Sequence, residues 1–138
     1  MQYAKVSGKS FKKDILGYSE EASSIAVLDF IISNTDRHDQ NYGFWMDNDT
    51  GMIVGLSPLF DFNCALVSDV FNRDSSDTLS QMFNDGRTLR QLAYEYKPYC
   101  KLVLDLIKFN TVRKQYKEFD YVFDNILKRC EELEIKTI

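Results

Sequence analysis

The chain has 138 residues, a formal net charge of −4, 44% apolar side chains and three cysteines. That length fits one domain, spanning 1–138, with enough apolar surface to bury a core without a disulfide framework or structural metal. Charge is uneven: residues 1–14 carry four Lys and one Asp, residues 15–85 carry two Arg against twelve acids, and residues 86–138 carry eleven basic and eight acidic side chains. The acidic middle disfavours a nucleic-acid backbone there and would suit divalent cations.

Residues 1–18 are weakly patterned and read as an N-terminal arm. Ser7-Gly8-Lys9-Ser10 has the ending of a phosphate-binding loop. That loop needs glycine five positions before Gly8, where Tyr3 stands, so it is rejected. Ser19, followed by Glu20 and Glu21, opens a helix running to about Ser33. Val27, Leu28, Ile31 and Ile32 with Ile25 give it a broad buried face. Asn34-Thr35-Asp36 end it, since these residue types favour caps and turns. Tyr42 to Met46 and Met52 to Leu56 predict a β-hairpin around the turn Asp47-Asn48-Asp49-Thr50-Gly51. A calcium loop starting at Asp47 would need Gly at position six and Glu at position twelve, where Met52 and Pro58 stand, so a plain turn is expected.

Residues 68–78 read as a loop, and a short helix is expected over about 78–84. A helix from near Thr88 carries Leu89, Leu92, Ala93 and Tyr96 on one face and stops at Pro98. Two further helices are expected. One covers about 99–109, with Leu102, Val103, Leu106 and Ile107 inward. The other covers about 111–134, with Phe119, Val122, Phe123, Ile126, Leu127, Cys130 and Leu133 on its apolar face. No internal repeat is visible. Cys64, Cys100 and Cys130 form no C-x-x-C pair, which points to reduced thiols rather than a zinc site. No charged-then-apolar leader opens the chain, and no apolar run approaches the roughly 20 residues that cross a bilayer, so a cytoplasmic, membrane-free protein is expected. The fold class is mainly α with one short hairpin.

The informative stretch is Asn34 to Asn41, a crowd of polar groups directly behind the apolar run Ile25 to Ile32. Phosphoryl transfer asks a protein for an oriented hydroxyl, metal-neutralised phosphates and fixed geometry. Asp36 is the candidate acceptor of the attacking hydroxyl's proton. Asn41 and Asp61 are hard oxygen donors of the kind magnesium prefers. The hairpin between Asp36 and Asp61 can fold the second carboxylate back toward the first. His38, the single histidine, is expected to brace the loop by hydrogen bonds, with direct chemistry as its other role. The same residues also suit a polar helix-to-strand connection. A metal-dependent phosphoesterase built on Asp36, His38 and Asp61 would ordinarily draw on several histidines, which the chain does not have. Arg113, Lys114 and Lys117 form a loose basic cluster on the last predicted helix, but Glu131, Glu132 and Glu134 follow, so a solvated face rather than nucleic-acid binding is expected.

The stretch Leu28 to Phe44, followed by Gly55 to Asp61, resembles the C-terminal domain of HipA-like serine/threonine kinases. That family shows an N-x-D-x-H-x-x-N loop, a short hairpin and a P-x-F/Y-D segment. Asn34-Thr35-Asp36-Arg37-His38-Asp39-Gln40-Asn41 and Pro58-Leu59-Phe60-Asp61 match both. The match is tight over about residues 25–66. The resemblance implies a helical kinase-like C-lobe, ATP with Mg2+, and a protein hydroxyl as substrate. It makes Asp36 the catalytic base, His38 the loop histidine, and Asn41 and Asp61 the metal and nucleotide-site ligands. Family members often belong to bacterial toxin–antitoxin systems. Phe62-Asn63 follow Asp61 where the usual kinase segment has glycine. Residues 1–18 show no glycine-rich loop and no strand pattern for a nucleotide-holding N-lobe. The expectation is therefore a C-lobe that is incomplete without an N-lobe, whether truncated or carried by a separate partner chain. The alternative is a non-catalytic, kinase-derived binding or regulatory module, such as an antitoxin-type partner.

Overall fold

A computed structural model describes residues 2–4, 19–38, 43–56 and 62–138. Among them are five α-helices: α1 (Ser19–Ile31), α2 (Val67–Val70), α3 (Leu89–Tyr96), α4 (Leu106–Gln115) and α5 (Asp120–Glu132). Strands β1 (Gln2–Ala4), β2 (Phe44–Met46) and β3 (Ile53–Leu56) form one antiparallel sheet in the order β1-β2-β3. Strands β4 (Val103–Leu104) and β5 (Lys136–Thr137) form a second, parallel pair. The class is mainly α.

Helix α1 is the hub. Ile25, Val27 and Phe30 are fully buried, and so are the polar residues Ser23 and Asp29, so this helix is enclosed nearly all round. Such enclosure leaves little amphipathic contrast to read from its sequence. Val27, Phe30 and Ile31 pack against Leu89 and Ala93 of α3 and against Cys130 and Leu133 at the C-terminal end. The helix stops at Ile31, two residues before the expected end. Ser33 takes a left-handed conformation (φ 51°), and the Asn34 amide reaches back to the Asp29 carbonyl at 2.8 Å. That reversal satisfies a terminal carbonyl and throws the next residues off the helix axis.

The hairpin forms as expected, with Phe44 opposite Leu56 and a bulge at Trp45/Met46. Its turn is held by the Asp47 carboxylate, which accepts from the amides of Asp49 (2.8 Å) and Thr50 (3.2 Å). Gly51 follows at φ 70°, which other residue types rarely adopt. Asp47 is thus a turn residue, in keeping with a plain turn. The strand at Gln2–Ala4, paired to β2, was not legible in the weakly patterned arm.

Three expectations after residue 66 are corrected. Residues 78–84 are not a helix. Ser80 donates its amide to the Arg87 carbonyl (2.8 Å) and Leu89 donates to Thr78 (3.0 Å), so backbone groups pair across the loop instead of along a helix. Met82 and Phe83 are buried as the plug of that loop. The expected helix over 99–109 is a 3-10 turn (Lys97–Tyr99), strand β4, and then the start of α4. Asp105 caps α4 by accepting from the Lys108 amide (3.1 Å), and Ile107, expected inward, is 80% exposed. The long last helix is broken at Tyr116 into α4 and α5, with a 3-10 turn at Lys117–Phe119. Arg113 spans the break, 2.6 Å from both Asp120 and Asp124.

Helix α3 agrees with its pattern: Leu89, Leu92, Ala93 and Tyr96 are all buried. Its start is a reciprocal cap, in which the Thr88 hydroxyl accepts from the Gln91 amide (3.1 Å) and the Gln91 side chain accepts from the Thr88 amide (2.9 Å). A Thr88→Ala variant should lose about 1 kcal/mol, within a range of about 0.5–2. The check is a lowered urea midpoint at unchanged slope. Cys64, Cys100 and Cys130 are free thiols. Burial pushes the Cys130 thiol above its ordinary range. Among the described residues no helix is long and apolar enough to cross a membrane.

Candidate functional site

The turn at Ser33 delivers residues 34–38 as an irregular segment, in which the Asp36 amide donates to the Asn34 side-chain oxygen (3.4 Å). Asn34 and Arg37 are buried, whereas the side chains of Asp36 and His38 are 40% and 32% exposed. Asp36 and His38 therefore face outward together, with His38 Nε2 3.7 Å from Asp36 Oδ1. That separation is within ion-pair range for a protonated imidazole.

A buried ion pair holds Arg37 inward. Arg37 Nε donates to Asp29 Oδ2 (2.9 Å) and Arg37 Nη2 donates to Asp29 Oδ1 (3.1 Å). The Asn34 amide also donates to Asp29 Oδ1 (3.2 Å). Asp29 and Arg37 are 2% and 1% exposed. Burial pushes the Asp29 carboxyl above the ordinary carboxylate range, while the Arg37 guanidinium and the Asn34 amide act against that push. The fork of two parallel bonds fixes direction as well as charge. With Arg37 held inward, Asp36 and His38 on either side of it remain part-exposed.

The other edge of the site is marked by Phe62. Its ring lies 4.9 Å from the Arg37 guanidinium carbon, a cation–π contact. A few residues on, the Leu66 amide donates to the Ile32 carbonyl at 2.7 Å. The chain that leaves through the hairpin thus returns to the end of α1. The residue after Asp61 packs on the residue after Asp36. Asn41 and Asp61 themselves lie outside the described residues. Asn41 and Asp61 offer side-chain oxygen donors, which fits the chemistry of Mg2+. Among the described residues no group of three or more His, Cys, Asp or Glu gathers as a metal cluster.

Asp29 and Arg37 were not singled out by sequence reasoning. The available signal was Asp29 itself, a lone acid inside the apolar run Ile25 to Ile32. A carboxylate there must find a partner, and Arg37 is the nearest basic residue after it. No family model, curated protein or solved structure matches the chain.

Proposed function

We propose that this chain is the C-lobe of a HipA-like serine/threonine kinase, handling metal and hydroxyl in ATP- and Mg2+-dependent phosphoryl transfer to a protein. In this reading Asp36 takes the proton of the attacking hydroxyl and His38 orients Asp36. Asn41 and Asp61 hold Mg2+ against the nucleotide phosphates. A nucleotide-holding lobe, in a partner chain or a further segment, completes the site. The observation that supports this best is the packing of Phe62 on Arg37. It brings the flanks of the two sequence motifs together, as a shared site requires. The second support is the outward pairing of Asp36 with His38 on a loop braced from below.

Mn2+ is a spectroscopic stand-in for Mg2+, and its binding to the full chain is read by electron paramagnetic resonance with and without ATP. Asp61→Ala should abolish binding, while Asp36→Asn should keep the metal and lose transfer of labelled phosphate from ATP in an extract of the source cells. Absence of Asp61-dependent metal binding, together with no transfer in that extract, would sink the proposal.

A second reading, a kinase-derived binding module without catalysis, is favoured by one surface. Val67, Val70 and Phe71 on and after α2 are exposed together, and the neighbouring Tyr121 hydroxyl is tied to the Val70 carbonyl at 2.9 Å. Metal binding without phosphate transfer in the extract, joined to a stable co-purifying chain, selects this reading.

A further inference from the structure

The broken C-terminal region and the loop after α2 enclose a cavity of about 380 Å3, away from Asp36 and His38. Its floor is a second buried ion pair. Arg129 donates from Nη1 to Asp69 Oδ1 and from Nη2 to Asp69 Oδ2, both at 2.8 Å, and Asn125 adds a bond to Asp69 Oδ1 at 3.1 Å. The third guanidinium group, Nε, donates to the Ile31 carbonyl at 2.7 Å, at the end of the helix that carries the candidate site. One wall is Arg90, whose Nε and Nη2 are taken by Glu132 and whose Nη1 is taken by Asp77. Asp74 accepts from the Ser76 amide (2.9 Å), and hydrogen bonds from Ser76 hold its carboxyl below the ordinary range.

The carboxylates around this cavity are therefore already committed to donors of the protein. Two cations are not. Arg73, just after α2, and Lys128, on α5, both line the mouth, and neither has a carboxylate partner among the described residues. Together they bring eight N–H donors to a cleft whose carboxylates already accept from other groups. The volume falls within the range of about 300–1,000 Å3 typical of small-molecule sites. It accommodates a phosphoryl group with a short organic stem.

We infer that this cavity binds a phosphomonoester, with Arg73 and Lys128 as its direct contacts and the Asp69–Arg129 pair as its floor. A phosphate offers a cluster of acceptor oxygens and more than one negative charge, matching the surplus of donors. A guanidinium suits such an anion because its donors form a planar fork, and the lysine adds a mobile point charge. The carboxylates Asp74 and Glu132 disfavour a ligand that enters past the mouth, so the phosphoryl group sits between Arg73 and Lys128. Occupancy at the mouth is felt at Arg129, and through its Nε at Ile31. The inference does not depend on the kinase reading.

Two sources carry this chemistry, free phosphate compounds and phosphorylated side chains. Inorganic phosphate, and a short phosphoseryl peptide beside its unphosphorylated twin, are titrated into the full chain at constant ionic strength. Backbone and arginine Nε–H signals are followed by NMR. The expected result is saturable shifts confined to residues 72–76 and 125–132 and to the Arg129 Nε–H. Arg73→Gln and Lys128→Gln, both exposed substitutions, should each weaken binding about tenfold. Tighter binding of the phosphopeptide, with its twin silent, assigns the site to a phosphorylated side chain. Equal affinity for inorganic phosphate assigns it to a free phosphate compound. Shifts spread over all basic surfaces, or binding unchanged in both variants, would overturn the inference.

Discussion

Replacing Arg37 by alanine is expected to cost about 3–5 kcal/mol of folding stability, because it leaves the Asp29 carboxylate buried without its counter-charge. Few single substitutions in a domain of this size should cost more, since total stability is about 5–15 kcal/mol. The Asn34 amide remains as one donor to Asp29, which is too little to hold an ion away from water. Arg37→Lys keeps the charge but not the two-pronged geometry, so an intermediate loss is expected. The double variant Asp29→Leu with Arg37→Met removes both charges and should recover much of the loss, because hydrophobic replacement of a buried pair is often neutral. Urea unfolding of the three variants measures this directly. A loss below about 1 kcal/mol in Arg37→Ala would mean that the pair is solvated rather than buried. The double variant also separates stability from positioning. If it folds well yet the His38 imidazole resonances lose their fixed environment, the pair serves to set the loop.

How much of this was legible in the sequence differs by element. Helix α3 was readable because one apolar stripe, a capping pair and a terminal proline agree with one another, which is the condition under which local signals are reliable. The hairpin was readable from Asp47 to Gly51, where turn chemistry is local. The region after residue 98 was misread because its apolar residues serve different partners. Val103 and Leu104 pair in parallel with Lys136 and Thr137, 33 residues further along the chain, and no periodicity reports such a pairing. The loop over 78–84 was misread for a related reason, since its backbone bonds run to Arg87 and Thr88 across the loop. At the candidate site, the outward residues Asp36 and His38 were legible by chemistry. The inward residues were not, because the identity of a buried partner depends on the three-dimensional path of the chain. Asp29, Asn34 and Arg37 lie within nine residues of one another, yet only the turn at Ser33 brings them together.

Arg129→Ala is the second large loss expected, again about 3–5 kcal/mol, since it strands Asp69 in the interior. This residue differs from Arg37 in what else it holds. Arg129 joins three helices: α5, which carries it; α2, through Asp69; and α1, through the Ile31 carbonyl. Its loss should therefore be felt at a distance. The Leu66 amide, bonded to Ile32 next to that carbonyl, should exchange faster with solvent, as should the Asn34 amide at the helix end. The amide of Ala93 in α3 should keep its relative protection, because its packing on α1 does not involve Arg129. Lysine cannot substitute well, since a point charge cannot serve two carboxylate oxygens and a carbonyl in one plane. Hydrogen exchange under native conditions tests this residue by residue. Faster exchange confined to α5 would mean that the C-terminal helix frays alone and that Arg129 does not hold the loop. Faster exchange reaching Asn34 would mean that the shape of the candidate site depends on a residue 93 positions after Asp36.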